Sequence, residues 1–245
     1  MPRVTRLRQP SVLLLALVLA AGCGGGSSKA KAKADTAPTD VAAKAAAAAI
    51  NVLAADLPGY TGEDHDATKD AEQLKQEKAF QECLGITYLT DAQRDVFQGY
   101  SQDFGKDAGA LPSQIATQVE VLKSAKQVSA DITGYTGSKA AGCVGTLIAE
   151  GAKSELSDQG ATVGEATVKA VTVDRAGNDA AFGFDVTVPL SGQGQTVQVY
   201  VSLRAYASKH TETSLETFSV GTPFDAAELS RVSALVAGRT AAKAV

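Results

Sequence analysis

Two of the strand-like stretches in the second half of the chain alternate apolar and polar residues at a period of two, and short connectors join such stretches. In residues 180–190 Phe182, Phe184, Val186, Val188 and Leu190 share one side, and in residues 195–206 Val197, Val199, Val201 and Leu203 do. The third stretch spans 211–220, and a fourth, near 165–174, precedes them. That period is the mark of strands with one buried face. Arg175-Ala176-Gly177-Asn178-Asp179 and Ser191-Gly192-Gln193-Gly194 supply connectors whose residues tolerate positive φ. Strands joined so tightly are antiparallel neighbours, because a parallel pair needs a crossover of a dozen residues or more. From residue 113 Ile115, Thr117, Val119 and Val121 alternate in the same way, which adds an isolated half-buried strand.

Helical periodicity fills the rest. Thr39 or Asp40 caps a helix running through the alanines to Ala55, with Ile50, Leu53 and Leu57 on one side and Pro58 as its stop. Asp70 to Leu84 reads as a second helix, with Leu74, Phe80 and Leu84 as its buried stripe and Gly85 as terminator. A short helix is expected around residues 91–100, and further helices at 125–133 and 138–153. Pro223 and Asp225 open a last one, whose apolar side is Leu229, Val232, Leu235 and Val236. The expected architecture is α+β: an antiparallel sheet of about five strands with helices packed on one face.

The N-terminus locates the protein. Arg3, Arg6 and Arg8 precede ten apolar residues, Val12 to Ala21, ending in Gly22-Cys23. This is the layout of a secretory signal peptide, and ten residues fall well short of the roughly 20 that a hydrocarbon core requires. Leu19-Ala20-Ala21-Gly22-Cys23 resembles a bacterial lipobox, with Ala20 where that motif usually has Leu. The resemblance implies cleavage before Cys23 and lipidation of its thiol; an ordinary signal followed by a chance cysteine is the alternative. Residues 1–22 are then signal peptide, residues 23–39 the lipidated Cys and a flexible Gly/Ser, Lys/Ala and Thr/Pro linker, and residues 40–245 a single globular domain. Cleavage removes three arginines and no acid from a chain of formal charge −4, leaving −7. An acidic domain is a poor binder of nucleic acid, whose affinity comes largely from neutralised phosphates. Lys29, Lys31 and Lys33 lie just after the anchor, against anionic headgroups or as solubilising linker.

With Cys23 lipidated, Cys83 and Cys143 remain, and one intramolecular connectivity is open to them in an oxidising compartment; two buried thiols are the alternative. The order Leu57-Pro58-Gly59-Tyr60, a helix ending Phe80-Gln81-Glu82-Cys83, an isolated strand, a helix reaching Cys143, a β-meander, then Pro223-Phe224 and a closing helix carries a family resemblance. Over about residues 50–240 it resembles the lipid-anchored or membrane-tethered actinobacterial domains that look like the extracellular sensor domain of PknH-type Ser/Thr kinases. Lipoprotein families with a PsbP/Mog1-like fold are similar too. The resemblance implies an extracytoplasmic, sensor-like ancestry.

Motifs that carry chemistry are sparse. An EF-hand register starting at Asp64 puts Lys69 where Gly is needed and Lys75 where the bidentate Glu belongs, so the segment reads as a solvated acidic loop. His65 and His210 both read as surface loop residues, there is no Gly-x-Ser-x-Gly elbow, and two histidines and three cysteines leave few soft ligands for a metal. No cofactor is implied. Tyr200, Arg204 and Tyr206 share the expected outer side of one meander strand, as a recognition surface or as an ordinary solvated face. Two function classes follow. One is a lipid-anchored binding or sensor-like module of the cell membrane's extracytoplasmic face, without a catalytic site, recognising a small apolar ligand or an envelope protein. The other is an envelope hydrolase with a carboxylate-based site.

Overall fold

The computed structural model describes residues 35–245, apart from 109–110, 157–160 and 193. The expected signal peptide, Cys23 and most of the expected linker lie outside the described residues. No helix among the described residues is long and apolar enough to cross a membrane.

The fold is α+β, with a nine-stranded antiparallel sheet and six α-helices among the described residues. Thr39 caps α1 (Asp40–Ile50), which ends before a 3₁₀ turn at Ala54–Asp56. The break leaves Leu53 exposed while Leu57 turns into the core. After the short β1 (Thr61–Glu63) comes α2 (Ala71–Leu84), closed at its start by an Asp70/Gln73 capping box and at its end by Gly85 at φ 77°. Only a residue without a Cβ adopts that left-handed conformation at little cost. Leu74, expected in the stripe of α2, is exposed; Phe80 and Leu84 are buried.

The expected helix at 91–100 is corrected. Only α3 (Asp91–Arg94) is helical; β2 (Asp95–Tyr100) and β3 (Asp103–Ala108) follow. Both pair with the long β4 (Leu111–Leu122), β2 along its second half and β3 along its first. The helices α4 (Ala125–Thr136) and α5 (Ala140–Leu156) then cross to the far side of the sheet. There β5 (Thr162–Val163) and β6 (Thr167–Val171) pair end to end along β7 (Ala180–Gly192). A meander follows through β8 (Gln195–Ser208) and β9 (Thr211–Val220), which returns beside β4, and α6 (Ala226–Lys243) closes the chain. The five strands read from the sequence are all present, and the added ones lie along the edges.

Helices cover both faces of the sheet, not one as expected. On one face α2 and α5 pack over Phe184, Val186, Val188, Val199, Val201 and Leu203. On the other, Val232, Val236 and Ala237 of α6 pack on Ile115, Tyr206 and Leu215, and α1 packs on Val119. A single bond links the helices of the first layer: Cys83 of α2 and Cys143 of α5 form a disulfide with Cα atoms 5.8 Å apart.

Candidate functional site

Two polar regions stand out. The first lies under α4, on the sheet face that also carries α2 and α5. Arg94 ends the single turn of α3, and the chain enters β2 at the next residue, which carries the guanidinium into the interior, where it is fully buried. Its Nη2 lies 2.6 Å from Glu120, 3.4 Å from Glu212 and 3.6 Å from Asp131, and its Nε is 3.8 Å from Asp95. One cation thus faces four buried carboxylates drawn from β2, β4, α4 and β9. Beside them Lys69 bridges Glu77 and Asp91, at 2.9 Å from each.

Hydrogen bonds continue this cluster towards the surface. Gln118 and Gln98 both donate to Glu120 Oε1, and the Tyr100 hydroxyl donates to Gln98. The ring of His65 stacks on Tyr100 with centroids 4.4 Å apart, and its Nδ1 is 3.1 Å from both carboxylate oxygens of Asp103. His65 is therefore a fixed part of a polar layer and not a loose loop residue; the tertiary approach of β1 to β3 puts it there. Further along the same face, Glu216 is buried with no basic partner among the described residues at salt-bridge distance.

Burial pushes the carboxyls around Arg94, and that of Glu216, up. Desolvation dominates, and mutual repulsion adds to it, for Asp95, Asp131, Glu120 and Glu212, against the attraction of Arg94. Glu216 is pushed up to about 8, by burial first and by Asp103 second. The folded protein therefore holds protons between about pH 4.5 and 8 that the unfolded chain releases, so stability is highest below this window and falls as pH rises through it. The substitution Glu216→Gln is expected to raise the denaturation midpoint at pH 8, where up to about 4 kcal/mol is at stake, and to change it little at pH 5. Urea titrations at the two pH values check this; an equal effect at both would remove the buried carboxyl as the cause.

The cluster is enclosed. The cavity that adjoins it, between Gln118, Glu120, Glu212, Ala205, Ile132 and Phe182, measures ≈20 Å³, the room of about one water. What this arrangement offers chemically is proton storage. No group of three or more His, Cys, Asp or Glu among the described residues is arranged to hold a metal ion. Polar residues at alternate positions of β4 and β9 look solvent-facing in sequence, so this cluster was missed; the valines on both sides of Glu120 were its one signal.

The second region is an open strand face. By pairing register, Thr167, Lys169, Asp185, Thr187, Tyr200, Ser202, Arg204 and Tyr206 point to the α1/α6 side of the sheet. On the hairpin α6 packs as far as Tyr206 and Ala181, and beyond them this face is uncovered. Tyr200, Ser202, Asp185 and Thr187 are half-buried there, and Lys169 is exposed. Of the three residues expected to form a recognition surface, Tyr200 lies on this patch. Arg204 lies there with its side chain only 12% exposed, bonded to Asp185 at 2.7 Å and donating to the carbonyls of Phe184 and Leu203. Gly183 makes room for it: a Cβ there would stand 3.0 Å from Arg204 Cδ. Tyr206 does not reach the patch, because α6 covers it and leaves it 1% exposed.

Comparison of the chain with family models, with curated proteins and with solved structures gives no match.

Proposed function

We propose that the protein is a lipid-anchored, extracytoplasmic binding or sensor-like module of an actinobacterial envelope, tethered through Cys23 and recognising an envelope protein with the uncovered face of β6, β7 and β8. The observation that carries this reading is the incomplete covering of the sheet. Helices pack on both faces of the central strands, yet the β7–β8 hairpin runs past the end of α6 and holds a polar surface centred on Tyr200 and a pre-set Arg204–Asp185 pair. A rigid strand face with a half-exposed tyrosine suits a protein surface, because aromatic anchors on an ordered scaffold lose little entropy on binding. A small apolar ligand suits the fold less well, since the cavity under α4 is far below the several hundred Å³ of a ligand pocket.

The test places a photo-crosslinking phenylalanine analogue at Tyr200 in cells that export the lipidated protein. An adduct of defined mass at position 200, weakened by Asp185→Ala, is expected, with none from the same probe at Leu53 on the far side of α1. Equal adducts at both positions, or none at either, would remove the open face as the binding surface. The anchor is checked in the same cells: Cys23→Ser is expected to abolish both the lipid mass increment and detergent-phase partition.

A further inference from the structure

Asp35 is fastened to the domain. Its Oδ2 accepts from Ser124 Oγ at 2.6 Å, its Oδ1 accepts from the Ala125 N–H at 3.1 Å, and His210 Nε2 stands 3.2 Å from Oδ1. The Nδ1 of His210 in turn faces the Leu122 carbonyl at 3.2 Å. The carboxylate therefore sits at the positive end of α4, where the Ser124 and Ala125 hydrogen bonds hold its pKa below the ordinary range.

These contacts lie at one end of the sheet. Here β4 finishes at Leu122, β8 finishes at Ser208, β9 begins at Thr211 and α6 ends at Lys243. Four lysines crowd this end and all are exposed: Lys123, Lys126, Lys209 and Lys243. Two are held in place, Lys123 by the carbonyls of Ala92 and Gln93 and Lys209 by that of Ala244. The acids at the same end are engaged or enclosed. Asp35 is bonded as above, the exposed Asp40 pairs with Lys44, Asp174 accepts from the Ala176 N–H, Asp179 accepts from the Lys209 N–H, and the carboxyls of Asp95 and Glu212 are buried with Arg94. The end thus presents positive charge on a chain whose formal net charge is −4.

The covalent reach of the tether ties this end to the anchor. Twelve peptide units separate Cys23 from Asp35, at most about 40 Å of chain and about 20 Å on average for a flexible coil. Lys29, Lys31 and Lys33 fall inside this stretch. At the opposite end, the turn between β7 and β8 lies 14 strand residues away, roughly 45 Å.

We propose that the lysine-ringed end beside Asp35 is the membrane-facing surface of the domain, seated on anionic lipid headgroups, with the Asp35–Ser124–His210 contacts holding the tether so that the β7–β8 hairpin points away from the bilayer. The inference rests on the lipid anchor at Cys23. Lysines within a Debye length of an anionic leaflet are attracted to it, while the acidic remainder of the surface is repelled, so charge distribution selects this orientation over others. The open strand face is then carried at the far end, where a partner can reach it.

The test uses the full lipidated chain on vesicles of phosphatidylcholine, with and without phosphatidylglycerol, and a water-soluble amine-acylating reagent read by mass spectrometry. On anionic vesicles Lys123, Lys126, Lys209 and Lys243 are expected to react at least about threefold more slowly than on neutral ones, with the difference lost at high salt. Lys106 and Lys169, away from this end, are expected to react equally on both. Asp35→Asn, which weakens the hold on the tether without touching a lysine, is expected to reduce the protection. Failure of the wild-type chain to float with vesicles overturns the anchor and this orientation with it. Flotation with equal lysine reactivity, or with protection centred on Lys106 and Lys169, overturns the orientation alone.

Discussion

Replacing Arg94 by leucine is expected to remove about 3–5 kcal/mol of stability at pH 7.5. Among the described residues the guanidinium is the one cation in direct contact with Asp95, Glu120, Asp131 and Glu212, and all four carboxyls are buried with it. Removing it leaves like charges in a low-dielectric layer between α4 and the sheet, with only proton uptake to neutralise them. The loss is therefore expected to shrink at pH 5, where the carboxyls bind protons readily. The folded-state pKa values are raised, so protons stabilise the native form below the window and are lost as pH climbs through it. Denaturant midpoints at the two pH values decide the matter. A penalty under about 1 kcal/mol at both would mean that packing alone holds this layer together. A chain that also carries Glu120→Gln and Glu212→Gln is expected to recover part of the loss, because the uncompensated charge is gone.

The second large effect is expected from Cys83→Ala, at about 2–5 kcal/mol. The disulfide joins α2 to α5 across 60 residues, and both helices lie over the same strands. Without it the unfolded chain regains the freedom of a long loop, worth roughly 4 kcal/mol on the chain-entropy account. The variant is expected to stay folded, since Phe80, Leu84, Val144 and Leu147 keep the two helices on Phe184 and Val186 by burial alone. Thiol titration under denaturing conditions is expected to find no free thiol in residues 40–245 before reduction. An intact midpoint after the substitution would mean that helix packing, not the crosslink, sets the stability of this layer.

How far these features could be read from the sequence differs by element. The β7–β8 hairpin was explicit, because alternation over strands of 13 and 14 residues leaves little freedom of register. Asp70, Gly85 and Asp225 marked their helix ends through side-chain and backbone chemistry that acts locally. By contrast β2 and β3 were not visible. Gly99, Gly105, Asp103 and Lys106 break any hydrophobic period there, and the backbone is extended because β4 offers its edge to both segments.

Polarity was the misleading signal. Gln118, Glu120, Glu212 and Glu216 stand at alternate positions of β4 and β9 as an outer face would, yet all four are buried. Arg94, the partner of Glu120 and Glu212, lies 118 residues from Glu212 along the chain, and no local pattern announces such a pairing. Tyr206 was misplaced for the same reason: whether α6 lies over the outer side of β8 depends on where the last helix returns, not on β8 itself.

The sequence by itself determined what depends on neighbours within a few residues: the lipobox-like terminus, the strand alternation, the helix caps and the pair of cysteines available for a bridge. Only the tertiary structure decided which faces of the sheet are covered, which carboxylates share Arg94, and that Asp35 is held against Ser124 and His210. Those outcomes are set by contacts between segments tens to more than a hundred residues apart, whose energies have no counterpart in any short window of the chain.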